Sequence, residues 1–217
     1  MRMPIPIRGP LSIPLRLLGV KRSQMNPNLC TICETNFTKV KKKKQVVIPA
    51  TILFADLRGY TTLSENTERS EVLDLLQNFY DECAAAIWER DGIINKFIGD
   101  AVLAIFNFPI MQEDHVRQAV LAGMEIQKRW KEASTGIGVG IHTGNASIGE
   151  VGTAYKDFTI IGPVVNLASR IQSAAGLGEV VVTEAVYQQV QDLFPQATNR
   201  NYQLKGIEEP VNGYLLR

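Results

Sequence analysis

Two aspartates stand where an apolar strand pattern meets a glycine-containing turn. They are Asp56 in Phe54-Ala55-Asp56-Leu57-Arg58-Gly59-Tyr60-Thr61 and Asp100 in Lys96-Phe97-Ile98-Gly99-Asp100. A carboxylate at such an end has two readings. Asp56 can cap a following helix and Asp100 can fill a hairpin turn, both ordinary uses of aspartate. Alternatively, the pair holds divalent metal with a nucleoside triphosphate. Mg²⁺ takes oxygen ligands, usually one or two carboxylates plus substrate phosphates. Two such ions can hold both the attacking and the leaving oxygens of an in-line displacement.

Other residues favour the second reading. The turn Leu57-Arg58-Gly59-Tyr60-Thr61 leads into a helical pattern, so backbone N–H groups there can face an anion. Lys96 lies in a short strand pattern, where residues two and four apart share a face. Lys96, Ile98 and Asp100 can then point the same way. A lysine on such a face needs an acceptor, which a purine ring nitrogen would supply; the plain reading is an edge-strand lysine in solvent. Asn166 and Arg170 are four apart in a helical pattern and so share a face. Arginine suits phosphate charge, above all where charge develops. Lys205-Gly206, after a strand read at Tyr202 to Leu204, can reach a terminal phosphate. Taken singly, each of these has a plain surface explanation.

The elements that must position these residues follow from hydrophobic spacing. Val46 to Phe54 reads as a buried strand ending at Asp56. Val72, Leu76, Phe79, Cys83 and Ile87 recur at helical spacing, and Gly92 ends that helix. Ile93–Ile98 and Ala101–Phe106 are short strands joined by Gly99-Asp100. Val116, Ala119, Gly123, Ile126 and Trp130 mark a second amphipathic helix, and Ile137–His142 a fourth strand. The order β-α-β-β-α-β predicts an α+β, ferredoxin-like core: an antiparallel sheet with helices on one face. C-terminal αβ additions follow. They comprise a turn-rich stretch from Gly144 to Gly152, a strand near Phe158-Thr159-Ile160, a helix opening at Pro163, and a strand at Val180-Val181-Val182. A short helix around Val186 and strands near Leu204 and Tyr214 complete the tail.

Bulk properties bound the answer. The chain has 217 residues, a formal net charge of +1 and 45% hydrophobic residues. That allows one full domain with an appendage and an ordinary core. Near-neutral charge gives no global pull toward nucleic acid. No apolar run approaches the roughly 20 residues of a membrane span, and prolines and arginines break the first twenty residues where a signal peptide would be apolar. A cytoplasmic protein is expected. Three cysteines, an odd number, fit a reducing compartment. Residues 1–45 form a Pro-rich, basic extension of open role, ending in Lys41-Lys42-Lys43-Lys44, read as a solvated linker or helix end. Cys30-Thr31-Ile32-Cys33 has knuckle spacing but lacks two further zinc ligands nearby, so a small packed turn is expected.

Taken together and in order, the motifs resemble a class III nucleotidyl cyclase catalytic domain, over residues 46–217. They are Phe54–Thr61, Lys96–Asp100, Gly140-Ile141-His142-Thr143-Gly144, Thr159-Ile160-Ile161-Gly162 and Asn166-Leu167-Ala168-Ser169-Arg170. The resemblance implies an adenylyl cyclase. Asp56, Asp100 and the Leu57 carbonyl would bind two divalent ions, Mg²⁺ or Mn²⁺. Lys96 and Thr159 would sit at the purine, Asn166 and Arg170 at the ribose and α-phosphate, and Lys205 at the distal phosphates. The Gly59, Tyr60 and Thr61 turn would line the triphosphate. Lysine at position 96 goes with adenine. Thr159 stands where many members carry aspartate, as in a subgroup that includes bicarbonate-responsive cyclases, so bicarbonate is a candidate effector. A homodimer is implied, Lys96 and Thr159 of one chain facing the metal aspartates of the other. Pro163 departs from a frequent aspartate, but proline suits a helix start.

Competing readings are weighed against the same residues. A diguanylate cyclase would need a Gly-Gly-Asp/Glu-Glu-Phe hairpin, and this one reads Ile98-Gly99-Asp100-Ala101. Lys96 argues against a guanylyl cyclase. A regulatory nucleotide-binding module would bind ATP with little turnover, and an inert interaction domain would bind no nucleotide at all.

Overall fold

The computed structural model describes residues 21, 23, 25–27, 29–31, 45–130, 135–154 and 157–217. Cys33 and Lys41–Lys44 lie outside the described residues. Strand β1 (Val46–Arg58) leads through Gly59 into the short helix α1 (Tyr60–Asn66) and the long helix α2 (Arg69–Glu89). The hairpin β2 (Ile93–Ile98) and β3 (Ala101–Phe106) follows, then helix α3 (His115–Arg129) and strand β4 (Gly136–Val151). The tail comprises β5 (Asp157–Ile161), α4 (Pro163–Ala174), β6 (Val180–Thr183), α5 (Glu184–Tyr187), β7 (Thr198–Tyr202) and β8 (Val211–Leu216).

The strands form one sheet in the order β2-β3-β1-β4-β6-β8-β7, with β5 paired to β4 off this path. All pairs are antiparallel except β4 with β6. The single sheet of mainly antiparallel strands with helices packed on it is the α+β architecture expected. The two helices of the βαββαβ core cover one face, packing Phe79, Cys83 and Ile87 of α2 and Ala119 and Ile126 of α3 against Leu53, Ala55 and Val139. Complete burial of an aromatic such as Phe79 contributes about 2–3 kcal/mol. The tail helix α4 takes the opposite face: Val164 and Ala168 join Ile52, Phe54, Leu103 and Ile148.

Two expectations fail. The stretch from Gly144 to Gly152 is not turn-rich loop: β4 runs 16 residues to Val151. Its second half pairs β1 from Val46 to Ala50 on one side and β5 on the other, so its glycines lie in paired extended backbone. The strand read at Tyr202 to Leu204 lies earlier, at Thr198–Tyr202, and Leu204 starts the turn closed by the Ile207 amide donating to the Leu204 carbonyl at 3.1 Å.

Part of the N-terminal extension packs on this body. Met25 and Leu29 lie against the α4-side cluster, and Cys30 is buried. The Met25 carbonyl accepts the Trp88 indole N–H at 2.7 Å and the Ile94 amide at 3.0 Å. The Asn26 side chain donates to the Gly92 carbonyl at 2.8 Å. This covers part of the exposed edge of β2.

Candidate active site

The sheet register sets the site. Phe54 pairs with Leu103 and Asp56 with Ala101, while Lys96 pairs with Leu103 and Ile98 with Ala101. Paired residues share a face, and Phe54 and Leu103 belong to the cluster under α4. Asp56 and Lys96 therefore project on the α4 side of the sheet. Asp100 is not in register with them; it occupies the two-residue turn whose Gly99 has φ +61°.

Several contacts hold that turn against β1. The Leu57 amide donates to the Asp100 carbonyl at 3.1 Å. The Tyr80 hydroxyl, from α2, donates to the Gly99 carbonyl at 2.6 Å, and the Tyr80 ring stacks on Phe97 at 3.9 Å. The outcome is two neighbouring carboxylates. Burial, and then the Asp100 charge, push the Asp56 carboxyl above its ordinary value, against a smaller opposing pull from Arg58 and a hydrogen bond from Gln172. A like-charged pair of hard oxygen donors, with Asp56 destabilised in its ionised form, fits a divalent cation. Among the described residues no group of three His, Cys, Asp or Glu converges. Any ion here would complete its shell with backbone carbonyl, water or phosphate oxygens, as Mg²⁺ does.

Gln172 reaches this point because α4 lies almost on the backbone of β4. A Cβ at Gly140 would overlap the Gln172 backbone nitrogen, and one at Gly138 would overlap the Arg58 guanidinium. Arg58 in turn donates to the Gln172 carbonyl. These glycines fix how deep α4 sits, and α4 carries Asn166 and Arg170.

Pro163 occupies the first turn of α4, after Gly162 at φ +140°. Val164, Ala168 and Ile171 point into the sheet. Asn166 is exposed and Arg170 half-buried. The Arg170 guanidinium lies over the turn holding Lys205: a Cβ at Gly206 would sit 3.5 Å from it. Lys205 itself is exposed. Gly59 caps α1 in the left-handed region at φ +79°, with Thr61 exposed beside it.

The structure also gives Lys96 a partner that sequence reasoning missed. Its ammonium is paired with Asp157 at the start of β5. Two residues on, the Thr159 hydroxyl donates to Asn95 Oδ1 at 3.1 Å. The candidate residues thus form three groups: Asp56 with Asp100, Lys96 with Thr159, and Arg170 with the Lys205-Gly206 turn. Tyr80, Gln172, Asp157 and Asn95 support them, and none carries a sequence signal beyond lying near a motif. Neither histidine joins them. His142 bonds Thr183 at 2.7 Å and His115 bonds Thr51 at 2.8 Å.

With this geometry in hand, comparison with known proteins is decisive at the family level. The chain belongs to the adenylate and guanylate cyclase catalytic domain family, whose model matches residues 41–217. It is 32% identical over 182 residues to an adenylate cyclase of Anabaena cylindrica, covering 76% of this chain and 36% of that protein. It is also 32% identical over 133 residues to adenylate cyclase 1 of Rhizobium meliloti, covering 56% of this chain and 20% of that protein. The chain thus spans about a third or less of these relatives' lengths. The crystal structure of the adenylyl cyclase CyaB from P. aeruginosa superimposes with a TM-score of 0.74 at 31% identity, covering 80% of this chain and 96% of that one. The guanylyl cyclase Cya2 gives a TM-score of 0.74 at 30% identity, over 79% of this chain and 93% of that one. Among the described residues no helix is long and apolar enough to cross a membrane.

Proposed function

We propose that this domain is an adenylyl cyclase, converting ATP to 3′,5′-cyclic AMP and pyrophosphate. The observation that carries the reading is the Asp56 carboxylate on the sheet face that also presents Lys96, with Asp100 beside it in the adjoining β2–β3 turn. In this reading Asp56, Asp100 and the Leu57 carbonyl hold two divalent ions. When bound, Mg²⁺ or Mn²⁺ lowers the pKa of the ribose 3′-hydroxyl and neutralises phosphate charge.

The remaining work belongs to the chain's own residues. Lys96 and Thr159 hold the adenine, and Asn166 orients the ribose so that its 3′-oxygen lies in line with the α-phosphorus. Arg170 stabilises the charge that grows on the α-phosphate as the pyrophosphate bond breaks. Lys205, with the Gly59-Tyr60-Thr61 turn, holds the distal phosphates. No protein nucleophile is required.

The reading includes a homodimer in which Lys96 and Thr159 of one protomer face Asp56 and Asp100 of its partner. Exposed Ile98 and Ile161, at 52% and 40%, flank Lys96 and Thr159 and suit coverage by a second copy. A guanylyl cyclase is the second reading, favoured by the likeness to Cya2 and opposed by Lys96.

The test is incubation with ATP or GTP, each with Mg²⁺ or Mn²⁺, and identification of the product by mass. Cyclic AMP with little cyclic GMP is the expected outcome, and cyclic GMP as the main product would overturn the base assignment. Bound nucleotide without product would leave a regulatory module. Adding bicarbonate at fixed pH reads out the effector proposed from Thr159.

A further inference from the structure

Strand β2 carries one irregularity, and it falls inside the site. Its register with β3 runs Ile93 to Ile105 and Ile94 to Ala104, then resumes at Lys96 to Leu103, leaving Asn95 as an extra residue. Ile93 and Ile105 belong to the cluster under α4, whereas Ile94 and Ala104 belong to the cluster under α2 and α3. Leu103 is again on the α4 side. Strict alternation would send two consecutive residues to opposite faces. The bulge instead turns both Asn95 and Lys96 toward α4 and β5, the re-aiming that bulges accomplish beside functional sites.

Both side chains meet β5. Lys96 donates to the Asp157 carboxylate. Asn95 Nδ2 donates to the Phe158 backbone carbonyl at 3.2 Å, and Asn95 Oδ1 accepts from the Thr159 hydroxyl at 3.1 Å. The carbonyl of Phe158 can only accept, so the amide must turn its NH₂ toward it and its oxygen toward Thr159. That oxygen can only accept, so the single hydroxyl proton of Thr159 is committed to Asn95. What Oγ1 then offers a ligand is lone pairs alone.

The cleft therefore presents a donor at Lys96 and an acceptor at Thr159. An aminopurine such as adenine offers the complement, a ring-nitrogen acceptor beside an amino donor. A six-oxo purine puts a carbonyl oxygen in place of the amino group, and at Thr159 two acceptors would meet. We infer that Asn95 is a positioning residue for base choice: by holding the Thr159 hydroxyl as an acceptor, it makes the β2–β5 cleft select a six-amino purine over a six-oxo purine. The inference rests on reading that cleft as the purine site.

The test uses ligands that bind without reacting. 3′-Deoxy-ATP and 3′-deoxy-ITP lack the attacking hydroxyl and differ only at the edge of the base read here. Calorimetric affinities are compared for the wild type, Asn95→Ala, Thr159→Val and the double variant, with melting curves to verify folding. The wild type should prefer the adenine nucleotide. Asn95→Ala should reduce that preference about three- to tenfold, the worth of a neutral hydrogen bond. Thr159→Val should reduce it comparably, and adding Asn95→Ala to Thr159→Val should change it no further.

Two results overturn the inference alone: no preference in the wild type, or the wild-type preference retained in Asn95→Ala, whether or not both nucleotides weaken equally. Failure of the wild type to bind either nucleotide would sink both this inference and the cyclase reading. The expected affinity pattern with no cyclic product from ATP would sink cyclisation alone.

Discussion

At the scale of the residue, the central fact is that Asp56 is held where its charge is unwelcome. Its carboxyl is raised by burial and by Asp100. A group whose pKa is higher in the folded state than in the unfolded state favours folding below the unfolded pKa, and that contribution is lost as pH rises through the folded value. Without metal, neutral pH is thus the unfavourable side for Asp56. Asp56→Asn should raise the metal-free melting temperature by about 1–3 °C at pH 7, while Asp56→Ala should lower cyclase activity about a hundredfold or more and leave the circular dichroism unchanged. Wild-type turnover in Asp56→Ala would break the metal assignment. Mg²⁺ should stabilise the wild type more than either variant. The base end is tested by Lys96→Glu, which should shift turnover from ATP toward GTP; an unchanged ratio would remove Lys96 from base selection. Asp56 and Lys96 could be proposed from sequence because charged residues beside glycine turns stand out from apolar runs, and Asn166 and Arg170 because they lie four apart in a helical pattern. Asn95 and Asp157 were not, because nothing in a linear pattern says that an extra residue breaks the alternation of β2, or which strand will lie across it.

At the scale of the element, β4 and α4 are the pieces that must meet. Gly140 is a glycine because the backbone of α4 passes where a Cβ would be. Gly140→Ala should therefore cost about 1–3 kcal/mol by overpacking, seen as a lower urea midpoint, and should weaken activity by lifting Arg170. An unaltered midpoint would mean that α4 slides freely over β4. His142, on the same strand, is held neutral by burial, its pKa lowered to about 4. Its folded value lies below its unfolded one, so its contribution is intact above the unfolded pKa of about 6.5 and is lost as pH falls toward about 4. His142→Gln should flatten this part of the acid unfolding curve; an unchanged curve would assign the acid sensitivity elsewhere. Helices α2 and α3 were readable from one buried stripe at helical spacing, and β1, β3 and the first half of β4 from continuous apolar runs buried on both faces. The second half of β4 was not. It is rich in small and polar residues that read as turn, and only β1 and β5 on its two sides make it a strand.

At the scale of the whole molecule, the arrangement predicts complementation. If active sites are shared between protomers, with Asn166 of one chain serving the same site as Asp56 of its partner, Asp56→Ala and Asn166→Ala chains, each inactive alone, should regain activity when co-refolded, because one site in each mixed dimer then holds every role. Well-folded, co-dimerising variants that fail to complement would confine each site to one chain. The same scale gives meaning to the short segment ahead of β1. Met25 is tied through its carbonyl to Trp88 and Ile94, and Asn26 to Gly92. A pull or twist on the chain at Met25 would therefore bear on β2, two residues before Lys96, and on the end of α2. The segment is a lever whose short arm ends at the strand that carries Lys96 and at the helix whose Tyr80 holds the Gly99-Asp100 turn.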